Sequence, residues 1–78
     1  MLFKTLDIRG LTFTRAFEQT QKEFKSLKKH GVLEIILDKK RNFTEAFENW
    51  TKSKGYQFSD LDTDNRFVRI FIRKDKTS

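Results

Sequence analysis

Read for periodicity, the chain switches between periods of two and of three to four residues. Leu6-Asp7-Ile8-Arg9 alternates apolar and polar side chains, the pattern of a half-buried strand, and Gly10 ends it. From Phe13 the spacing changes. Phe13, Ala16, Phe17, Thr20, Phe24 and Leu27 fall three or four apart, one stripe of a helix. Thr12 or Thr14 is placed to cap its start. Lys28, Lys29 and His30 are expected in its last turn, with Gly31 as the left-handed residue that closes it. Val32-Leu33-Glu34-Ile35-Ile36-Leu37 is nearly continuous and rich in branched side chains, which predicts a central strand. After the charged loop Asp38 to Arg41, Asn42 and Glu45 resemble a capping box. Phe43, Ala46, Phe47 and Trp50 make a second helical stripe, with Lys52 and Lys54 near its end and Gly55 as its stop. Tyr56 to Leu61 predicts a third strand, and Asp62 to Asn65 a turn. Arg66 to Lys74 alternates cleanly, Val68, Ile70 and Ile72 on one face and Phe67, Arg69, Phe71 and Arg73 on the other.

The order strand, helix, strand, helix, strand, strand predicts an α/β two-layer sandwich. Two helices cover one face of a four-stranded mixed sheet, with a parallel opening pair and an antiparallel closing hairpin. Residues 1–78 form one domain in this reading, with a core from Leu6 to Lys74 and a frayed tail over 75–78.

Composition narrows the chemistry. With no cysteine, the chain has no disulfide and no thiol. Nine Phe, one Trp and one Tyr must supply much of the buried area of so short a chain. No apolar run approaches the roughly 20 residues of a membrane span, and Met1-Leu2-Phe3-Lys4 starts no signal peptide. The expectation is a cytoplasmic protein with no membrane contact. Seventeen basic residues against eleven acidic ones give +6, split evenly at +3 for residues 1–39 and +3 for 40–78. This favours a solvated basic surface over a concentrated anion site.

Catalytic constellations are missing. His30 is the one histidine and reads as a helix-end residue. Asp60, Asp62 and Asp64 alternate without the glycine and closing Glu of a calcium loop, so they read as a surface turn. There is no glycine-rich phosphate loop. The expectation is a protein that is no enzyme and takes no cofactor and no metal.

Leu6-Asp7-Ile8-Arg9-Gly10-Leu11 resembles the Leu-Asp-x-x-Gly-Leu opening of the TusA/SirA sulfur carriers. The likeness continues through Gly31, the strand Leu33 to Asp38, Asp38-Lys39-Lys40, Glu45-Ala46-Phe47, Gly55-Tyr56-Gln57-Phe58 and Ile72-Arg73-Lys74. The resemblance implies the same two-layer sandwich. It also implies where the family works: a Cys-Pro-x-Pro segment at the start of the first helix, whose cysteine carries sulfur as a persulfide stabilised by the helix N-terminus. Here that segment reads Phe13-Thr14-Arg15-Ala16. Phe13 stands at the cysteine position, and both prolines are replaced.

Two binding readings follow. In the first, the domain is a non-catalytic TusA-like module, an adaptor or regulator in a sulfur-relay pathway. It would bind a protein partner through Arg9, Phe13, Thr14 and Arg15. In the second, the domain binds RNA or single-stranded DNA on the uncovered sheet face. Phe67, Phe71, Arg69 and Arg73 would stack bases and pair phosphates, with Lys39, Lys40 and Arg41 as further basic residues.

Overall fold

The computed structural model describes residues 2–40, 43–63 and 66–76, with the backbone alone for 60–63 and 76. Its elements are β1 (Phe3–Asp7), α1 (Phe13–Ser26), β2 (Val32–Asp38), α2 (Thr44–Ser53), β3 (Tyr56–Thr63) and β4 (Phe67–Lys76). The sheet order is β1-β2-β4-β3. β1 runs parallel to β2, while β4 pairs antiparallel with both β2 and β3. The two helices pack on one face, the arrangement expected from the periodicity.

The alternation along β2 and β4 separates two faces. Leu33, Ile35 and Leu37 of β2 and Val68, Ile70 and Ile72 of β4 are buried beneath the helices. Ala16 and Phe24 of α1 and Phe47 of α2 close the core from above. Two threonines lie fully buried among them. Burying a hydroxyl is costly unless it is hydrogen-bonded. Each donates to the carbonyl four residues back in its own helix: Thr20 Oγ1 to Ala16 at 2.8 Å and Thr51 Oγ1 to Phe47 at 2.7 Å. Both helices therefore present a threonine inward at no loss of hydrogen bonding.

Element ends differ from expectation at several points. β1 begins at Phe3, because its pairing with β2 starts at Phe3 opposite Val32. α1 ends at Ser26, so Lys28, Lys29 and His30 lie in the turn beyond it and not in its last turn. His30, at φ 70, takes the left-handed conformation expected of Gly31. β3 continues to Thr63, which places Asp60 and Asp62 in a strand and not in a turn. Asp64, Asn65, Arg41 and Asn42 lie outside the described residues, and with them the expected capping box; Phe43 precedes α2 with no side-chain cap bond. The tail expected to fray from residue 75 is β-strand through Lys76, which pairs with Tyr56. Thr77 and Ser78 lie outside the described residues.

Candidate functional site

The N-terminus of α1 is positioned by the turn that joins it to β1. Gly10, at φ 82, turns the chain in the left-handed region that glycine adopts without steric cost. Its N–H donates to Asp38 Oδ2 at 2.7 Å, so the last residue of β2 clamps the turn. The Leu11 N–H returns to the Ile8 carbonyl at 3.2 Å. Thr12 then caps the helix: its backbone is extended and its Oγ1 accepts from the Arg15 N–H at 3.4 Å.

Phe13 is the first helical residue. Its ring is neither free nor buried. It stacks on Phe17 at 5.5 Å between centroids, meets Phe43 edge-on at 5.1 Å and lies 6.3 Å from Phe47. Even so, 40% of its surface stays exposed. The ring is thus the accessible end of an aromatic cluster whose other end, Phe47, is fully buried. Such a site offers an anchored apolar contact at a helix N-terminus. No thiol occupies the first turn, which reads Phe13-Thr14-Arg15-Ala16.

The structure divides the four residues expected around Phe13. Thr14 and Arg15 follow it on α1 and are exposed. Arg9 turns elsewhere. Its Nε donates to Asp7 Oδ1 at 2.9 Å and its Nη2 to Asp7 Oδ2 at 2.7 Å, a bidentate pair. The hydrogen bonds from the Arg9 guanidinium hold the Asp7 carboxyl below the usual carboxylate range. The same guanidinium lies over the Phe67 ring, 5.5 Å from its centroid. Sequence proximity suggested Arg9 for the Phe13 site; in the turn after β1, its pairing with Asp7 holds it over Phe67 of the open sheet face instead.

That open face gathers Phe67, Arg69, Phe71 and Arg73 in the alternation expected of β4. Both arginines and the Phe67 ring are already engaged within the domain. The Arg69 guanidinium lies 5.1 Å from the Phe67 centroid, and its Nε is 3.9 Å from Glu34 Oε2. Arg73 Nε is 3.8 Å from Asp75 Oδ2. Thr5 Oγ1 donates to Glu34 Oε1 at 2.8 Å across the β1–β2 pair. Lys39 and Lys40 are exposed beyond β2.

The comparisons bear on the whole chain. The family model described as sulfurtransferase TusA matches residues 4–74. The crystal structure of a SirA-like protein from Desulfitobacterium hafniense superposes with a TM-score of 0.78 at 20% identity, covering 94% of this chain and 99% of that one. No curated protein matches. No helix among the described residues is long and apolar enough to cross a membrane.

Proposed function

This chain belongs to the TusA sulfurtransferase family, and on that premise we propose that it is a non-catalytic member, an adaptor or regulator that binds a sulfur-relay protein in the cytoplasm and carries no sulfur itself. The observation that carries this reading is Phe13. It stands where the family resemblance implies the persulfide cysteine, and no other residue of the chain can supply a sulfur nucleophile, because cysteine is absent. A persulfide needs a thiolate sulfur at the helix N-terminus. A phenyl ring has none, but its exposed 40% is suited to apolar contact.

A partner that recognises the α1 N-terminus of a sulfur carrier would meet here a clamped turn and a helix N-terminus with a ring in place of the thiol. Aromatic anchors of this kind dominate many interfaces. Binding of a sulfurtransferase of the relay class to the wild-type domain and to Phe13→Ala, by surface plasmon resonance, tests this. The wild type is expected to bind, and Phe13→Ala to weaken binding by about thirtyfold, the effect of losing about 2 kcal/mol at an anchor. Equal binding by both proteins would overturn the reading.

The nucleic-acid reading of the open face rests on the alternation of Phe67, Arg69, Phe71 and Arg73. It is the weaker reading because Arg9 and Arg69 already lie over Phe67, and Glu34 and Asp75 stand beside Arg69 and Arg73. Retention of a single-stranded oligonucleotide at low salt but not at high salt would favour it over the first.

A further inference from the structure

The far end of α1 carries a second surface with a different chemistry. Phe24 of α1 lies eleven residues beyond Phe13, about 17 Å along the helix at 1.5 Å per residue. Here Phe24 and Trp50 meet edge-to-face at 5.5 Å, and Phe24 and Tyr56 at 5.0 Å. These three rings floor an open groove of about 440 Å³ rimmed by Lys25, Lys54 and Lys74. A second depression of about 820 Å³ adjoins it through Tyr56 and Lys74 and adds Lys29 and His30. Among the described residues that line them, four lysines stand against one carboxylate, Asp75. That carboxylate is already engaged by His30 Nδ1 and lies near Arg73.

The lysines divide into one that builds the groove and others that face outward from it. Lys74 Nζ donates to the carbonyls of Phe24 at 2.9 Å and Leu27 at 2.7 Å, and sits 5.2 Å from the Phe24 ring centroid. It fixes the floor in place before anything binds, and preorganisation lowers the ordering cost of association. Lys25, Lys29 and Lys54 are exposed on the rim. The arrangement combines a rigid apolar floor with a cationic edge, at the pole opposite Phe13.

We propose that this groove docks an acidic polypeptide segment carrying an apolar side chain, a second binding site independent of the Phe13 surface. Charge complementarity selects the acidic partner, and the ring floor selects the apolar residue within it. Nucleic acid fits the groove less well. Base stacking needs free ring faces, whereas these rings interlock edge-on and Lys74 lies over Phe24. Among the described residues no arginine lines either depression, so the forked pairing that suits phosphate is not offered by them.

Trp50 is the sole tryptophan and lines the groove, so its emission reports occupancy directly. The full chain is titrated with a short Glu/Asp peptide bearing one central leucine, with the same peptide bearing serine there, and with oligothymidylate of equal charge. The leucine peptide is expected to give a saturable, salt-sensitive change in emission. The serine peptide is expected to bind about tenfold more weakly, the size of a modest loss of apolar burial. The variant K25Q/K54Q, whose changes are at exposed positions, is expected to weaken the leucine peptide about fivefold, while K39Q/K40Q leaves it unchanged. Absence of saturable binding, equal affinity for the two peptides, equal losses in the two lysine variants, or tighter binding of oligothymidylate would each overturn the proposal. Phe13 is intact in all of these proteins, so the outcome is separable from the test at that residue.

Discussion

Gly31 is required by a close approach and not by backbone handedness. The left-handed residue of this turn is its neighbour His30. A Cβ on Gly31 would lie 2.7 Å from Leu27 Cγ and 2.8 Å from the Lys28 carbonyl oxygen. The leucine is itself buried in the core, and the carbonyl is held. It accepts the Gly31 N–H at 2.9 Å and belongs to the turn that leads into β2. Lys74 N–H also returns to the Gly31 carbonyl at 2.8 Å, which fixes Gly31 against β4. The methyl therefore enters a space that cannot open without moving backbone. Gly31→Ala is expected to cost about 1–3 kcal/mol, the range of overpacking in a filled site. The measurement is urea unfolding: the midpoint should fall while the slope is unchanged. An unchanged midpoint would mean that the turn relaxes freely. The sequence reading of Gly31 as the left-handed residue that closes α1 does not hold, since α1 ends at Ser26 and His30 is the left-handed residue; the close approach of Leu27 and Lys28 is visible only in the structure.

α1 shows how an element boundary is set from far along the chain. Its C-terminus has no glycine cap; Leu27 is extended at φ −75, ψ 139. The last carbonyls are instead met by Lys74 Nζ, reaching from β4 nearly fifty residues later. Orphan carbonyls at a helix end need such partners, and a cation there also meets the negative end of the dipole. Lys74→Met keeps most of the stem over Phe24 and removes the ammonium. It is expected to cost about 1–3 kcal/mol, since it leaves the carbonyls without their charged donor. Amide exchange should quicken in the β2–α1 junction around Leu27 and Gly31 before it does in the central strands. The same interaction explains what periodicity read and what it missed. The stripe Phe13, Ala16, Phe17, Thr20, Phe24 gives α1 its start and face, because those follow from local spacing. The carbonyls at its end are met by a lysine that local spacing does not connect to the helix. β4 likewise extends to Lys76 because Tyr56 pairs with it across an irregularity in β3, a contact that no pattern within residues 75–78 announces. For the candidate site, motif order placed Phe13 at the start of the helix, whereas Arg9 was drawn off by Asp7 only two residues away.

A chain of 78 residues has a stability of about 4–12 kcal/mol at the usual 0.05–0.15 kcal/mol per residue. Much of that margin runs through one aromatic chain that joins both helices to β3: Phe13 to Phe17 and Phe47, Phe17 to Trp50, Trp50 to Phe24, and Phe24 to Tyr56. Its members differ in how far the whole molecule depends on them. Phe47 is fully buried between the layers, and truncation of a buried Phe costs about 3–5 kcal/mol. That is about a quarter or more of the total at the upper end, and most or all of it at the lower. Phe13, with 40% of its surface in water, has less burial to lose. Phe47→Ala is therefore expected to populate the unfolded state at 37 °C, seen as lost near-ultraviolet dichroism and a low, broadened thermal transition. Phe13→Ala is expected to keep a cooperative transition only a few degrees below wild type. Because Trp50 touches both Phe17 and Phe24, its fluorescence and the far-ultraviolet dichroism should trace one transition in the wild type. Separate transitions would mean that the helices come away from the sheet before the sheet itself melts. The contrast also bears on function: a ring at the helix N-terminus that the fold can spare is free to be kept for contact with a partner, whereas Phe47 is held in place by the fold itself.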